Sequence, residues 1–401
     1  MRCPRCAPAG ASRLGKGDVI VDFHDTNPIH ILPYLVFLAI YVSLALSSEV
    51  TRNKLFHWAG VGVALLFAGF QNTISPDMVR YREFYEHYRD SDFLRLLEPS
   101  FVVISAALHT LGLDYHALFF LYTSLTILFV YGAIRNLTPY IKTSMLVYIL
   151  VPHLYLTLFI EMRQECAVAM VFYAMSLIPR EELRFRRLRV VAFAALSVVF
   201  HYSAAGYWLV YLIGSRLFRR DYPVKLYLAL LVITLVMPSW VVLNLLWAAV
   251  YPILPPAYQL HVESLKSLGE AAGAHSVVSL LIFNIMALAF VLARQSIKSA
   301  GRPLGMFLNL FFAGVLVLNL TRDYGDIARF ANYFIIYEII LVPALLYKTG
   351  LAYSRPAVAY AVMLLYCIHF VHGLYYLNAE TDSYIYLHYS NALVSVFTNA
   401  P

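Results

Sequence analysis

The chain has 401 residues, of which 61% are hydrophobic and only 13% charged. That charged share is about half of the ~25% usual in a soluble domain, which excludes a soluble globular enzyme. The apolar residues would line about a dozen helices of ~20 residues each, which excludes a single-anchor protein. Continuous rather than alternating apolar runs also exclude a porin-type barrel. The formal charge of +7 matters through its placement: Lys and Arg cluster in short connections, a topology signal that gives no reason to expect nucleic acid. The fold class expected is all-α, a polytopic membrane bundle of about 12 transmembrane helices.

In chain order, residues 1–29 are Gly/Ala/Pro-rich and read as a disordered tail. Cys3 and Cys6 have CxxC spacing, but no second ligand pair follows, so no zinc site is expected. The first apolar run begins near Ile31 without a small-residue cleavage site, so no cleavable signal is expected. Further runs lie near 55–70, 116–134, 143–160, 164–179, 187–200, 203–218, 225–250, 276–293, 304–320, 330–347 and 356–377. They make residues 30–378 one bundle and leave 379–401 as a C-terminal tail.

The basic clusters orient these runs. Arg180, Arg184, Arg186, Arg187 and Arg189 form the strongest, and Arg216, Arg219, Arg220 and Lys225 the next; both read as cytoplasmic. The apolar stretch between them must cross twice, so it forms a hairpin turning near His201. By the same parity, the chain turns outside at Glu161–Glu165, between inner Lys142 and Arg180, which puts Arg163 near the depth of His201. Segments 71–115, 251–275 and 321–329 are also outer. Residues 98–113 then read as a re-entrant or interfacial helix. The rival reading, an extra crossing there, would flip the first two helices; it answers Arg2, Arg5, Arg13 and Lys16, which otherwise lie outside, as a misassigned start would also do.

Three outer turns hold charges that apolar surroundings make costly. Ser75-Pro76-Asp77 opens a helix, and Asp77 is either a partner of the helix dipole or a reactive carboxylate. Met78, Tyr81, Tyr85 and Tyr88 share a face of that helix, directed to lipid or to the bundle, with Arg80 among the charges on the rest. Glu98 before Pro99 has the place of a cap. Arg163, followed by Gln164, stands between Glu161 and Glu165, which share a helix face, so at most one of them easily neutralises it. It is either half of an ion pair or an anion ligand, because a guanidinium binds two phosphate oxygens at once. His201 is either a satisfied core residue or a general base for a substrate hydroxyl. Arg322, Asp326 and Arg329 stand at i, i+4 and i+7, one face of a helical turn with surplus positive charge. With Arg163 they suffice for a pyrophosphate. No nucleotide-loop, zinc-protease or hydrolase-elbow motif occurs.

These residues carry a likeness. Asp77 with Tyr81 and Phe84, the Glu98-Pro99 start, Arg163-Gln164 followed by Ala167 and Ala169, a basic loop, Phe200 to Ala204, and a later Arg329 and Tyr333 form the pattern. The chain resembles the EpsG-like branch of the Wzy-type polysaccharide polymerases. It departs from them before Asp77, where Gln71 to Pro76 lack the usual Arg and Gly. The resemblance implies a GT-C-like, metal-independent glycosyltransferase without cofactor, in the bacterial inner membrane. It would polymerise undecaprenyl-pyrophosphate-linked oligosaccharide at the periplasmic face, toward O-antigen, capsule or exopolysaccharide. Arg163, Arg329 and Arg322 would bind the pyrophosphate, His201 or Asp77 would act as base, and Gln164, Glu98, Arg80, Asp326 and Tyr333 would support them. Its partners would be the lipid-linked oligosaccharide, membrane lipids, and the chain-length regulator and flippase of the same pathway. The alternatives are a single-sugar transferase using a polyprenyl-phosphate donor and a non-enzymatic transporter of lipid-linked oligosaccharide.

Overall fold

A computed structural model describes residues 27–72, 76–89, 97–250, 276–299, 301–375 and 385–392. The N-terminal tail with Cys3 and Cys6 and the 251–275 connection lie outside the described residues. Among those described, the regular structure is helical, apart from one isolated bridge between Gln71 and Asn391. Helix starts follow local chemistry. Asn53 and Asp114 accept backbone N–H bonds two residues on, at 2.9 and 3.1 Å. Proline opens the helices at Pro76, Pro99 and Pro356, where its missing N–H costs nothing.

Among the described residues, five helices are long and apolar enough to cross a membrane: Pro28–Thr51, Tyr115–Leu137, Pro303–Thr321, Arg329–Lys348 and Pro356–Leu374. The protein is thus a polytopic helical membrane protein. The twelve apolar runs do not become twelve such helices. Run 143–160 bends by 88° between Ile141–Leu150 and Pro152–Phe159, because Pro152 can neither donate to the helix nor let its predecessor stay helical. Run 225–250 breaks at Met237-Pro238 into Val224–Val236 and Ser239–Val250. Lys54–Gly69, Pro99–Thr110, Val224–Val236 and Val277–Leu292 are apolar but shorter.

Long-range contacts place the basic clusters at one end. Lys142 pairs with Glu49, Arg180 donates to Asn136 at 3.1 Å, Lys298 pairs with Asp221, and Thr143 meets Tyr347 at 3.1 Å. Helices Arg186–Phe200 and Ser203–Phe218 leave that end and return to it, turning at His201-Tyr202. Pro99–Thr110 has 12 residues, about 18 Å, and is far too short to cross. Ser100 at its start meets Tyr122, two turns into the Tyr115–Leu137 helix, at 3.3 Å. Leu113 beyond its end accepts a bond from Tyr85 at 2.7 Å. The Pro99 helix therefore starts inside the bundle and climbs to its rim, parallel to Pro76–Glu86. The face of that latter helix carrying Met78, Tyr81 and Tyr85 is buried against the bundle, and so is Tyr88 in the turn beyond its end.

The residues read as a C-terminal tail are partly docked. Asn72 and Ser390 exchange bonds at 2.7 and 3.0 Å, and the ring of Tyr389 stacks on Phe67 at 4.3 Å. This strap holds the chain where it leaves helix Lys54–Gly69 for the Asp77 helix.

Close packing of the Arg329 segment depends on a glycine. A Cβ on Gly314 would lie 2.6 Å from the Cβ of Phe334 and 3.2 Å from its backbone carbon. Gly314→Ala should therefore cost ~1–3 kcal/mol despite the better helix propensity of alanine. Gly62→Ala, which meets nothing within 4 Å, should be neutral or slightly stabilising. Thermal unfolding in detergent checks both; equal midpoints would refute the close approach.

Candidate functional site

Four helices begin close together inside the bundle, in the half away from the basic clusters. They are Pro76–Glu86, Pro99–Thr110, Met162–Leu177 and Ser203–Phe218. The N-cap residues of the last three, Glu98, Glu161 and Tyr202, make no side-chain cap bond to their own helices. Each of these three starts directs a partial positive charge of up to about half a unit toward its surroundings.

Glu98 lies at the centre. Its position is that of a cap, yet its carboxylate turns away from the helix it opens. One oxygen accepts from Nδ1 of His201 at 2.6 Å, and the other pairs with Nη1 of Arg163. Glu98 is 4% exposed. Burial pushes its pKa up, but the hydrogen bond from His201 and the charge of Arg163 together outweigh burial and hold it below the ordinary carboxylate value. Because an ionised carboxylate can only accept, Nδ1 of His201 is the donor in this contact, and Nε2 is the acceptor nitrogen of the neutral ring. The extended backbone of His201, φ −157°, ends one helix before the next begins.

Arg163 pairs with neither of its sequence neighbours Glu161 and Glu165. Its guanidinium lies over the rings of Tyr81, at 5.0 Å, and Phe101, at 5.6 Å. The cation–π platform fixes it in place while the Glu98 pair uses one of its five N–H donors.

The Arg329 segment is stitched to the same helix starts. Nε of Arg329 reaches Glu161 at 2.7 Å, and Gln164 donates to the carbonyl of Arg329 at 2.9 Å. Asn332 donates to Glu165 at 2.9 Å, and Tyr333 meets Ser203, beside His201, at 2.9 Å. Arg163, His201 and Arg329, distant in sequence, thus belong to one connected polar cluster with Glu98, Gln164 and Tyr333.

Other candidates are placed differently. Arg322, Asp326 and Arg329 do not share a helical face. The helix ends at Thr321, a turn covers Arg322–Tyr324, and a short helix starts at Gly325. Arg322 donates to the carbonyls of Leu235, Met237 and Asn319 at 2.9, 3.2 and 3.3 Å, closing the end of helix Val224–Val236. The side chain of Asp326 lies outside those described. Asp77 is one turn before Tyr81 on the same helix, with Arg80 at 3.5 Å from it and more exposed. The surplus of positive charge expected from sequence is also absent from the paired arrangement, since Arg163 has Glu98 and Arg329 has Glu161.

Sequence reading missed the part of Glu98 as the joint of the cluster, and of Tyr81 and Phe101 as the cation platform. The usable signal was the number of outer carboxylates: a buried acid demands a cation whatever its sequence distance. Among the described residues, no three His, Cys, Asp or Glu side chains are grouped as metal ligands.

The Arg163–Glu98 pair can be measured directly. Arg163→Met leaves a buried carboxylate with only His201, and Glu98→Gln leaves the guanidinium without its anion. In a double-mutant cycle on unfolding free energy, the double variant should lose less than the sum of the singles, by roughly 0.5–3 kcal/mol. Additive losses would show that the pair contributes nothing.

The model of the EpsG family matches residues 59–391, a stretch that takes in every member of this cluster. No curated protein and no solved structure matches the chain. With most of its length covered by that match, the chain belongs to the EpsG family.

Proposed function

We propose that this chain transfers a growing glycan from its polyprenyl diphosphate to a hydroxyl of an incoming lipid-linked repeat. The carrier is undecaprenyl pyrophosphate, and the reaction takes place at the periplasmic face of the bacterial inner membrane. The bundle is then GT-C-like in plan, its chemistry at one rim. The flippase and chain-length regulator of the pathway are its working partners.

The observation that carries this reading is the gathering of Arg163, Arg329 and His201 around converging helix starts, with Glu98 joining two of them. Guanidinium groups and helix N-termini both favour a phosphate dianion or diphosphate. In the reaction, the acceptor oxygen forms a bond to the anomeric carbon as the bond from that carbon to the diphosphate oxygen breaks. The acceptor proton passes to Nε2 of His201. The departing polyprenyl diphosphate leaves as an anion, so it needs charge stabilisation and no proton. Arg163 and Arg329 supply that stabilisation where the charge grows. Tyr333 and Gln164 hold the Arg329 segment against the helices of His201 and Arg163. Asp77, beside Arg80 at the start of its helix, faces the same region and is the second candidate for the base. Arg322 serves the fold in this scheme.

A deletion strain complemented with variants, read on polysaccharide gels, tests this. Arg163→Ala and Arg329→Ala should lower polymerisation by about 10²–10³-fold at unchanged membrane level. Arg163→Lys should rescue poorly, because a point charge lacks the bidentate fork. His201→Ala should leave single repeats on the lipid core. Wild-type chain lengths from Arg163→Lys would refute the diphosphate role. Loss of every lipid-linked repeat in the deletion strain would point instead to an earlier transferase or a transporter.

A further inference from the structure

The proposed reading leaves one problem. Arg163 is already occupied by Glu98, and the same carboxylate holds the base. We infer that Glu98 is a positioning residue that couples occupancy of the donor site to the basicity of His201. The inference rests on the diphosphate reading and goes beyond it.

The geometry supplies the connection. Glu98 has two oxygens and two partners, one a permanent cation and the other an imidazole that can become one. A single negative charge is shared between them. While Arg163 draws on that charge, the carboxylate supports an imidazolium less well, and the guanidinium also repels one. A diphosphate on Arg163 changes both terms in the same direction. It neutralises the guanidinium, and it leaves the carboxylate to the imidazole. Arg163 need not travel for this, because the rings of Tyr81 and Phe101 hold its cation in place and its remaining N–H groups can meet the ligand. Nε2 of His201 then becomes the better proton acceptor once the leaving group is seated. The acceptor hydroxyl is activated only in a loaded site.

The groups around His201 agree with this. The Pro99 helix brings Glu98 and Ser100, the Met162 helix brings Arg163, and the Tyr115 helix brings Tyr122 with its hydroxyl on Ser100. The Ser203 helix brings Ser203, bonded to Tyr333 of the Arg329 segment, whose Arg329 is paired with Glu161. Glu165 is held by Asn332, and Asp77 by Arg80 beyond Tyr81. Glu98 is the carboxylate hydrogen-bonded to the imidazole, so it is the group through which a charge on Arg163 is relayed.

The test uses the full chain in lipid nanodiscs, with inorganic pyrophosphate as probe. Histidine-labelled protein is titrated by NMR, and the His201 signal among the 13 histidines is assigned by its loss in His201→Gln. Binding of pyrophosphate is followed separately by its phosphorus signal. Saturating pyrophosphate should raise the pKa of His201 by about one unit. Glu98→Gln should remove the share of that rise carried by the carboxylate, cutting it at least by half, while pyrophosphate still binds. Glu98→Asp keeps the charge on a shorter arm and should retain part of the rise; it also serves if the glutamine variant fails to fold. In turnover, Glu98→Gln should lower kcat about tenfold or more and shift the acid limb of the pH profile, without raising KM for the donor. Bound pyrophosphate with an unmoved His201 titration would overturn the coupling and leave the donor site standing. Failure of pyrophosphate to bind the wild-type chain would overturn both.

Discussion

A carboxylate in the apolar interior of a membrane protein is tolerated only when a cation or a set of donors meets it. Glu98 is the case on which this molecule is built. It lies at a helix start, 4% exposed, and satisfies itself on Arg163 and His201, which come from two other helices. That one requirement fixes the relative depth of three segments. It needs the Pro99 helix to begin well inside the bundle, the bent Ile141–Phe159 pair to deliver Arg163 to the same level, and the hairpin to turn at His201. The helix starts converge because the charges at them have to.

The second pair repeats the device with different elements. Glu161 holds Arg329, and Gln164, Asn332 and Tyr333 add neutral bonds between the same two segments and the His201 turn. Bonds of this kind contribute about 0.5–1.5 kcal/mol each in net terms. Their larger effect is geometric, since each excludes alternative registers of a segment that is otherwise an irregular series of short helical turns between Gly325 and Lys348. The close passage of Gly314 past Phe334 belongs to the same arrangement. The Arg329 segment lies where it does because a side chain is missing from its neighbour.

How much of this was legible in the sequence depends on the distance over which each feature is encoded. The hairpin at His201 follows from two basic clusters flanking one apolar stretch, and the depth of Arg163 from the parity of the crossings before it. Both need only local composition and the preference of Lys and Arg for one side. The role of Glu98 was not legible, because Glu before Pro at a helix start is what an ordinary cap looks like, and only the fold reveals that its side chain points elsewhere. Arg322 misleads for the opposite reason. A spacing of i, i+4 and i+7 with Asp326 and Arg329 implies a shared face only if the helix is continuous, and the chain turns at Arg322–Tyr324. The number of spanning helices failed similarly. Apolar content counts residues, whereas Pro152 and Pro238 break runs that hydropathy leaves whole. Nothing local announced that Tyr389 would dock on Phe67.

The balance of charge gives the cluster its character. Surplus cations would bind any anion and hold it, and a product diphosphate would then be slow to leave. In the paired arrangement each arginine has a carboxylate to return to, so ligand affinity is lowered by the strength of the pair it displaces or shares. On the proposed reaction, such a site would favour the state in which negative charge is greatest, which for a departing diphosphate is the moment of bond cleavage, and would release the product to the carboxylates afterward. Glu98 and Glu161 would then compete for the same guanidinium groups as the substrate, and a polymerase that transfers a chain many times would gain from that competition.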